Sequence, residues 1–173
     1  GGDQYVPARM NARAEMSSLK RVGPAYASAV LAFASAAVSA YWTLGWTVLL
    51  DTVGGSIERL ARERSAPAIL LGIVVVLVKV AGGFLALALV QPWGARVGRR
   101  LLMTFSTVGS VVLVLYGGVL VLIGGLVLAN VINPSQPVDE HALRWHVFVW
   151  DLWFLVWGVA LGLATWRYHV DER

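Results

Sequence analysis

A single lysine in the middle of a long apolar run is the feature that most constrains this chain. Residues 68–90 read AILLGIVVVLVKVAGGFLALALV, and Lys79 is the one ionisable residue among them. An apolar run of this length spans a bilayer as a helix. A charge halfway along such a helix costs roughly 3 kcal/mol or more on insertion scales, so we expect Lys79 to face the protein interior and to have a partner there.

Three further apolar runs of membrane length predict an integral membrane protein. Only 14% of the residues are charged, whereas soluble domains carry about 25%. The predicted fold class is an all-α, integral membrane four-helix bundle. Its parts are an N-terminal segment 1–22, a transmembrane domain 23–167 with spans at about 23–50, 67–91, 101–131 and 143–166, and a tail 168–173.

The distribution of Lys and Arg predicts the orientation of the spans. Nine of these residues lie in the two terminal segments and the second loop, and four lie in the first and third loops. The positive-inside rule then places both termini in the cytoplasm. The net charge of +4 is explained by these flanks, so we predict no nucleic-acid partner.

The first outer loop contains the sequence IERLARER (57–64), which predicts a short amphipathic helix. Glu58 and Arg62 are spaced to form an ion pair, while Ile57, Leu60 and Ala61 share one face. Such a helix either lies on the outer membrane surface or serves as a solvated connector.

Asp151 is the predicted partner of Lys79, because each shares a helix face with glycines that allow another helix to approach closely. In the predicted topology the two residues lie roughly 18 Å and 12 Å from the outer ends of their spans, at about 1.5 Å per residue. A lysine stem spans that difference. We therefore predict an ion pair, shared with Tyr116 or Asp51, that either forms a functional pocket or only fixes helix register.

Carboxylates and histidines also gather near the predicted outer face. Asp51, Glu58 and His146 are candidate acid–base groups there. Because no recognised ligand spacing occurs, we predict no metal site, and the sequence names no cofactor.

The tryptophans fall into two predicted groups. Trp46 lies near a predicted interface, where aromatic belts are common. Trp150 and Trp153 lie deeper, and they either line a groove for a flat apolar ligand or fill core and lipid-facing volume.

Residues 40–64, AYWTLGWTVLLDTVGGSIERLARER, resemble a family of small bacterial four-helix membrane proteins classed as a domain of unknown function. The resemblance implies a multi-pass protein of the bacterial cell membrane. It makes candidate site residues of Asp51, Thr52, Gly54, Gly55 and Glu58, and it supplies no activity.

Three functional hypotheses follow. The first is a membrane protein that binds or conducts a small ligand or ion through a polar pocket around Lys79, Asp151 and Asp51. The second is an enzyme for a lipid-soluble, isoprenoid or sterol-like substrate, and the third is an accessory subunit that packs against partner helices. The expected partners are membrane lipid, a lipid-soluble ligand, and a second copy or another membrane protein. Candidate ligand-binding or ion-pair residues are Lys79, Asp151, Asp51, Tyr116, Glu58, His146, Trp46, Trp150 and Trp153.

Overall fold

The computed structural model describes residues 5–135 and 138–171, with side chains from residue 22 to residue 170 of these ranges. The predicted segments 1–22 and 168–173 each include residues that lie outside the described ranges. The regular elements described are helices: α1 (Tyr5–Leu44), α2 (Gly55–Glu63), α3 (Ala66–Ala88), a 3₁₀ turn (Pro92–Arg96), α4 (Arg99–Leu128), α5 (Glu140–Trp145), a π-helical turn (His146–Trp150) and α6 (Asp151–Asp171).

Four segments of these helices are long and apolar enough to cross a membrane. They are Val22–Leu44, Ala66–Ala88, Arg99–Leu128 and Glu140–Val170. This confirms the predicted all-α, four-span membrane class. The first of them continues a helix that begins at Tyr5, so α1 crosses the predicted boundary at residue 22 without a break.

The four long helices are arranged around the bundle in the order α3, α1, α6, α4. Helix α1 packs against α3 and α6, and α4 packs against α6, whereas α3 and α4 contact each other little. The bundle therefore has an open seam between α3 and α4.

Small residues allow the close helix contacts. On α1, Ala25 and Ala32 are fully buried. Glycines of α3 face α1. A Cβ added to Gly83 would clash with the ring of Phe33 on α1, and a Cβ added to Gly72 would clash with Thr43 on α1. Membrane helices associate through close packing of this kind, because lipid tails are as apolar as the side chains and the hydrophobic effect does not hold the helices together.

Helix α1 ends at Leu44, six residues before the predicted end of the span at 50. Gly45 has a φ of +109°, and its N–H donates to the carbonyl of Trp42. The N–H of Trp46 donates to the carbonyl of Tyr41, and the two rings stack with centroids 5.0 Å apart. These bonds form a Schellman motif, which ends the helix and satisfies its last carbonyls.

The half of the bundle that contains the 3₁₀ turn has a packed apolar core. Its buried members come from α1, the end of α3, the start of α4 and α6, and they are Ala25, Ala29, Ala86, Ala88, Leu89, Leu102, Leu161 and Ala164. The other half of the bundle contains α2 and α5. We call it the α2 end, and the candidate site lies there.

The α4–α6 contact generates a prediction for Gly117→Ala. An added Cβ would lie 2.5 Å from the backbone nitrogen of Leu155 and 2.6 Å from the carbonyl oxygen of Asp151. Since overpacking of this kind typically costs about 1–3 kcal/mol, thermal unfolding in detergent, followed by circular dichroism, should occur at a lower temperature.

Gly125→Ala in the same helix is the matched control, because a Cβ there meets nothing within 4 Å. It should leave stability unchanged or raise it by up to about 1 kcal/mol through helix propensity. Equal effects of the two substitutions would contradict the close α4–α6 contact.

Candidate functional site

A cavity of about 380 Å³ lies at the α2 end, between α1, α3 and α6. Helix α2 covers it with Ile57, Leu60 and Ala61, the three residues predicted to share an apolar face. Helix α4 contributes Tyr116 alone to the lining, beside the open seam. Most of the wall is apolar, and its polar side chains are Ser35, Ser39, Trp42, Thr43, Arg64, Lys79, Tyr116, His146, Trp150, Asp151 and Trp153.

Lys79 extends from the middle of α3 towards α1. Its ammonium nitrogen donates to the hydroxyl of Ser39 at 2.7 Å and lies 3.5 Å from the carbonyl oxygen of Ser35. The nitrogen also lies 5.3 Å from the centroid of the Phe154 ring, within the range of a cation–π contact. Lys79 therefore faces the protein interior, where the small residues of α1 supply its partners.

The predicted ion pair between Lys79 and Asp151 is wrong. Both residues line the same cavity, but among the described residues no carboxylate lies within ion-pair distance of the lysine. The reason is local: Ser39 lies within reach of the ammonium on the neighbouring helix, and Asp151 already has a partner, His146.

His146 and Asp151 meet because the helix between them is π-helical. The N–H of Asp151 donates to the carbonyl of His146, five residues earlier. This wider turn brings residues five apart onto one side, whereas a regular α-helix pairs residues three or four apart. As a result, Nδ1 of His146 lies 3.3 Å from Oδ1 of Asp151, whose residue is only 4% exposed.

The loop before α2 fixes the other side of the imidazole. Nε2 of His146 lies 2.8 Å from the carbonyl oxygen of Val53. A carbonyl only accepts hydrogen bonds, so Nε2 carries a hydrogen and donates it. The tautomer of His146 is thus set by the chain segment that connects α1 to α2.

The contact between His146 and Asp151 therefore holds one shared proton. With Nε2 protonated, a neutral imidazole has a bare Nδ1, which accepts a hydrogen bond as the carboxylate does. Two acceptors attract each other only if one of them carries a proton. The pair is then either imidazolium with carboxylate or imidazole with carboxylic acid, and its net charge is zero in both states.

Two tryptophans of the cavity wall are held by hydrogen bonds. Nε1 of Trp150 donates to the hydroxyl of Thr52 at 3.1 Å, and Nε1 of Trp153 donates to the carbonyl of Leu31 at 3.1 Å. Thr52 is 2% exposed and bonds back to the carbonyl of Leu49. These bonds give the indole rings fixed positions in the wall.

Three of the nine candidate ligand-binding or ion-pair residues do not line the cavity, and neither do Thr52, Gly54 and Gly55, the further candidates from the family resemblance. Asp51 is exposed, and its carboxylate lies 3.9 Å from His141. Glu58 pairs with Arg62 at 2.7 Å, as its spacing predicts, on the outside of α2. Trp46 belongs to the Schellman motif that ends α1. Of the three residues predicted to form the polar pocket, Lys79 and Asp151 line the cavity and Asp51 does not, because the loop turns its side chain outwards.

Sequence reasoning missed several groups of the cavity. Ser39 was not among the predicted site residues, and Arg64 was predicted only as the last residue of the amphipathic helix 57–64. The carbonyl of Val53 and the π-helical turn have no side-chain pattern that predicts them. Thr52 did have a signal, the family resemblance of residues 40–64.

The shared proton predicts a graded response to substitution at Asp151. Asp151→Leu leaves Nδ1 of His146 without a hydrogen-bond donor in a buried place and should lower the free energy of unfolding by about 1–3 kcal/mol. Asp151→Asn should cost clearly less, because its amide donates to Nδ1 in place of the shared proton. Unfolding in mixed detergent micelles measures both.

Asp51→Leu is the matched control. Its carboxylate faces His141 across an exposed contact, and such contacts contribute about 1 kcal/mol or less. If Asp151→Asn proves as costly as Asp151→Leu, a neutral donor does not replace the shared proton, and the state with imidazole and carboxylic acid is contradicted.

Comparison with known proteins agrees with the uncharacterised family inferred from residues 40–64. No curated protein and no solved structure matches the chain. A family described as "Protein of unknown function (DUF3995)" matches residues 32–161, a range that includes α2, the π-helical turn and every residue of the cavity wall. The chain belongs to the DUF3995 family of proteins of unknown function.

Proposed function

We propose that this membrane protein binds a lipid-soluble small molecule in the cavity at the α2 end. The observation that carries the proposal is the combination of an apolar wall with the polar groups of Lys79, Tyr116 and the His146–Asp151 pair. Ligand sites have this composition, because the wall supplies affinity and a few polar groups fix orientation. The volume of about 380 Å³ is near the lower end of the usual range of about 300–1,000 Å³.

The seam between α3 and α4 supports access from the lipid. The two helices contact each other little, and Tyr116 of α4 lines the cavity while being 50% exposed. A molecule dissolved in the bilayer would reach Lys79 through this seam without crossing water.

Binding is favoured over ion conduction by the packing of the other half of the bundle. An ion path would need polar groups or water along the whole length of the protein. Among the described residues, the half with the 3₁₀ turn contains the apolar cluster around Leu102 and Leu161, beside a separate pocket of about 450 Å³. The apolar cluster therefore supports a binding pocket and not a continuous polar path.

We also propose that the protein lies in a bacterial cell membrane with the α2 end outside. The excess of Lys and Arg in the terminal segments and second loop supports this orientation. The ligand site would then lie in the outer half of the membrane.

A membrane enzyme is a second candidate, and the His146–Asp151 pair favours it. A buried pair that holds one proton at a cavity wall has the parts needed for general acid–base catalysis. Of the three acid–base groups expected from the sequence, only His146 lines the cavity. Asp151 takes the place of Asp51 and Glu58 in this candidate.

Native mass spectrometry of protein extracted in mild detergent tests the proposed binding. The wild type should retain one defined lipid-soluble compound. Ala68→Trp fills the cavity from α3 and should reduce that occupancy by about tenfold or more, equivalent to about 1.4 kcal/mol.

Ala81→Trp is the matched control, because Ala81 is exposed on the same helix and does not line the cavity. It should leave occupancy unchanged. A wild type that carries no compound, or an Ala68→Trp variant that retains it fully, would refute the proposed binding function.

A further inference from the structure

We infer that the ligand is a single-chain amphiphilic anion whose carboxylate binds the ammonium group of Lys79. This inference rests on the proposed binding function and names the chemical class of the ligand. Three observations carry it: the charges of the cavity wall, the contacts of Lys79, and the shape and composition of the remaining wall.

The charges of the wall do not balance. Among the described residues of the lining, the basic side chains besides His146 are Lys79 and Arg64, and Asp151 is the one carboxylate. Asp151 shares its proton with His146, so that pair contributes no net charge. Even if the pair lost the proton, two cations would face one carboxylate, and the cavity would remain positive.

The ammonium of Lys79 has neutral partners only. Its contacts are the hydroxyl of Ser39, the carbonyl of Ser35 and the ring of Phe154. Intramembrane charges usually pair with an opposite charge or with backbone carbonyls, because an uncompensated charge in a low-dielectric interior is costly. Among the described residues no counter-ion serves Lys79, and a bound anion would supply one.

The remaining wall favours an anion with one apolar chain. An inorganic anion would leave the apolar residues of α2 and α3, such as Leu60 and Val75, without contacts. A two-chain phospholipid would need far more room than about 380 Å³. A single alkyl or isoprenoid chain would satisfy the apolar wall, with its carboxylate at Lys79.

Arg64 supports the inference independently of Lys79. It follows directly after α2, its guanidinium lies against Gly45, and it lines the cavity near the rim. Among the described residues no carboxylate pairs with it. A cation at the rim attracts an anionic ligand and raises its local concentration.

The test uses wild-type protein in phosphatidylcholine nanodiscs with equimolar oleic acid and oleyl alcohol as competing probes. The two molecules share a chain and differ in the charge of the head group. Native mass spectrometry should show at least about tenfold more bound acid than alcohol, equivalent to about 1.4 kcal/mol. In Lys79→Met that preference should fall to the several-fold value that Arg64 alone supplies, and in Lys79→Arg most of it should return.

Arg64→Gln should reduce the preference for the acid several-fold and keeps the test decisive if the Lys79 variants fold poorly. Arg62→Gln is its matched control, because Arg62 pairs with Glu58 and does not line the cavity. It should leave the preference unchanged.

The contrary outcomes are distinct. Equal binding of acid and alcohol to the wild type would overturn the anionic ligand and leave the proposed binding function standing. If the wild type binds neither probe, and Ala68→Trp does not change the occupancy by the retained compound, both the anionic ligand and the proposed binding function are refuted. Displacement of the acid when phosphatidylglycerol replaces part of the phosphatidylcholine would assign the cations to a phospholipid head group and overturn the single-chain ligand.

Discussion

The contact between His146 and Asp151 is the interaction on which the α2 end of this protein depends. A carboxyl group buried in an apolar bundle needs a hydrogen-bond partner, and a regular helix would carry His146 to another side. The π-helical turn brings the two together at 3.3 Å. The same imidazole binds the carbonyl of Val53, so one side chain ties α6 to the loop that leads into the cavity cover.

Helix packing explains why a cavity exists beside this contact. Glycines let the backbones of α4 and α6 come into contact and let side chains of α1 pack directly on the backbone of α3, so the two pairs are tight where they form. The pairs join through α1 and α6, and little contact closes the remaining side between α3 and α4. Space is left where α2 and the wide helical turn meet, and the cations of Lys79 and Arg64 line it.

The fold class was predictable from the sequence, because apolar runs of membrane length and their basic flanks leave few alternatives. The same reasoning predicted that Lys79 faces the interior and that α2 presents Ile57, Leu60 and Ala61 on one face. It assigned the wrong partner to Lys79, since helix periodicity assumes regular α-helical turns from residue 140 to residue 171, and the turn His146–Trp150 is π-helical. The arrangement of the site depends on two features of the backbone. The π-helical turn redirects Asp151, and the Schellman motif at Gly45 turns the following loop back over the bundle.

A structure of the protein crystallised from a lipidic mesophase is the most direct test of the central claim. The account predicts elongated density between α1, α3 and α6, with its polar end within hydrogen-bond distance of the Lys79 ammonium. It also predicts a seam that remains open between α3 and α4. Closure of α3 onto α4 with side chains filling the space, and no bound molecule at Lys79, would contradict the account.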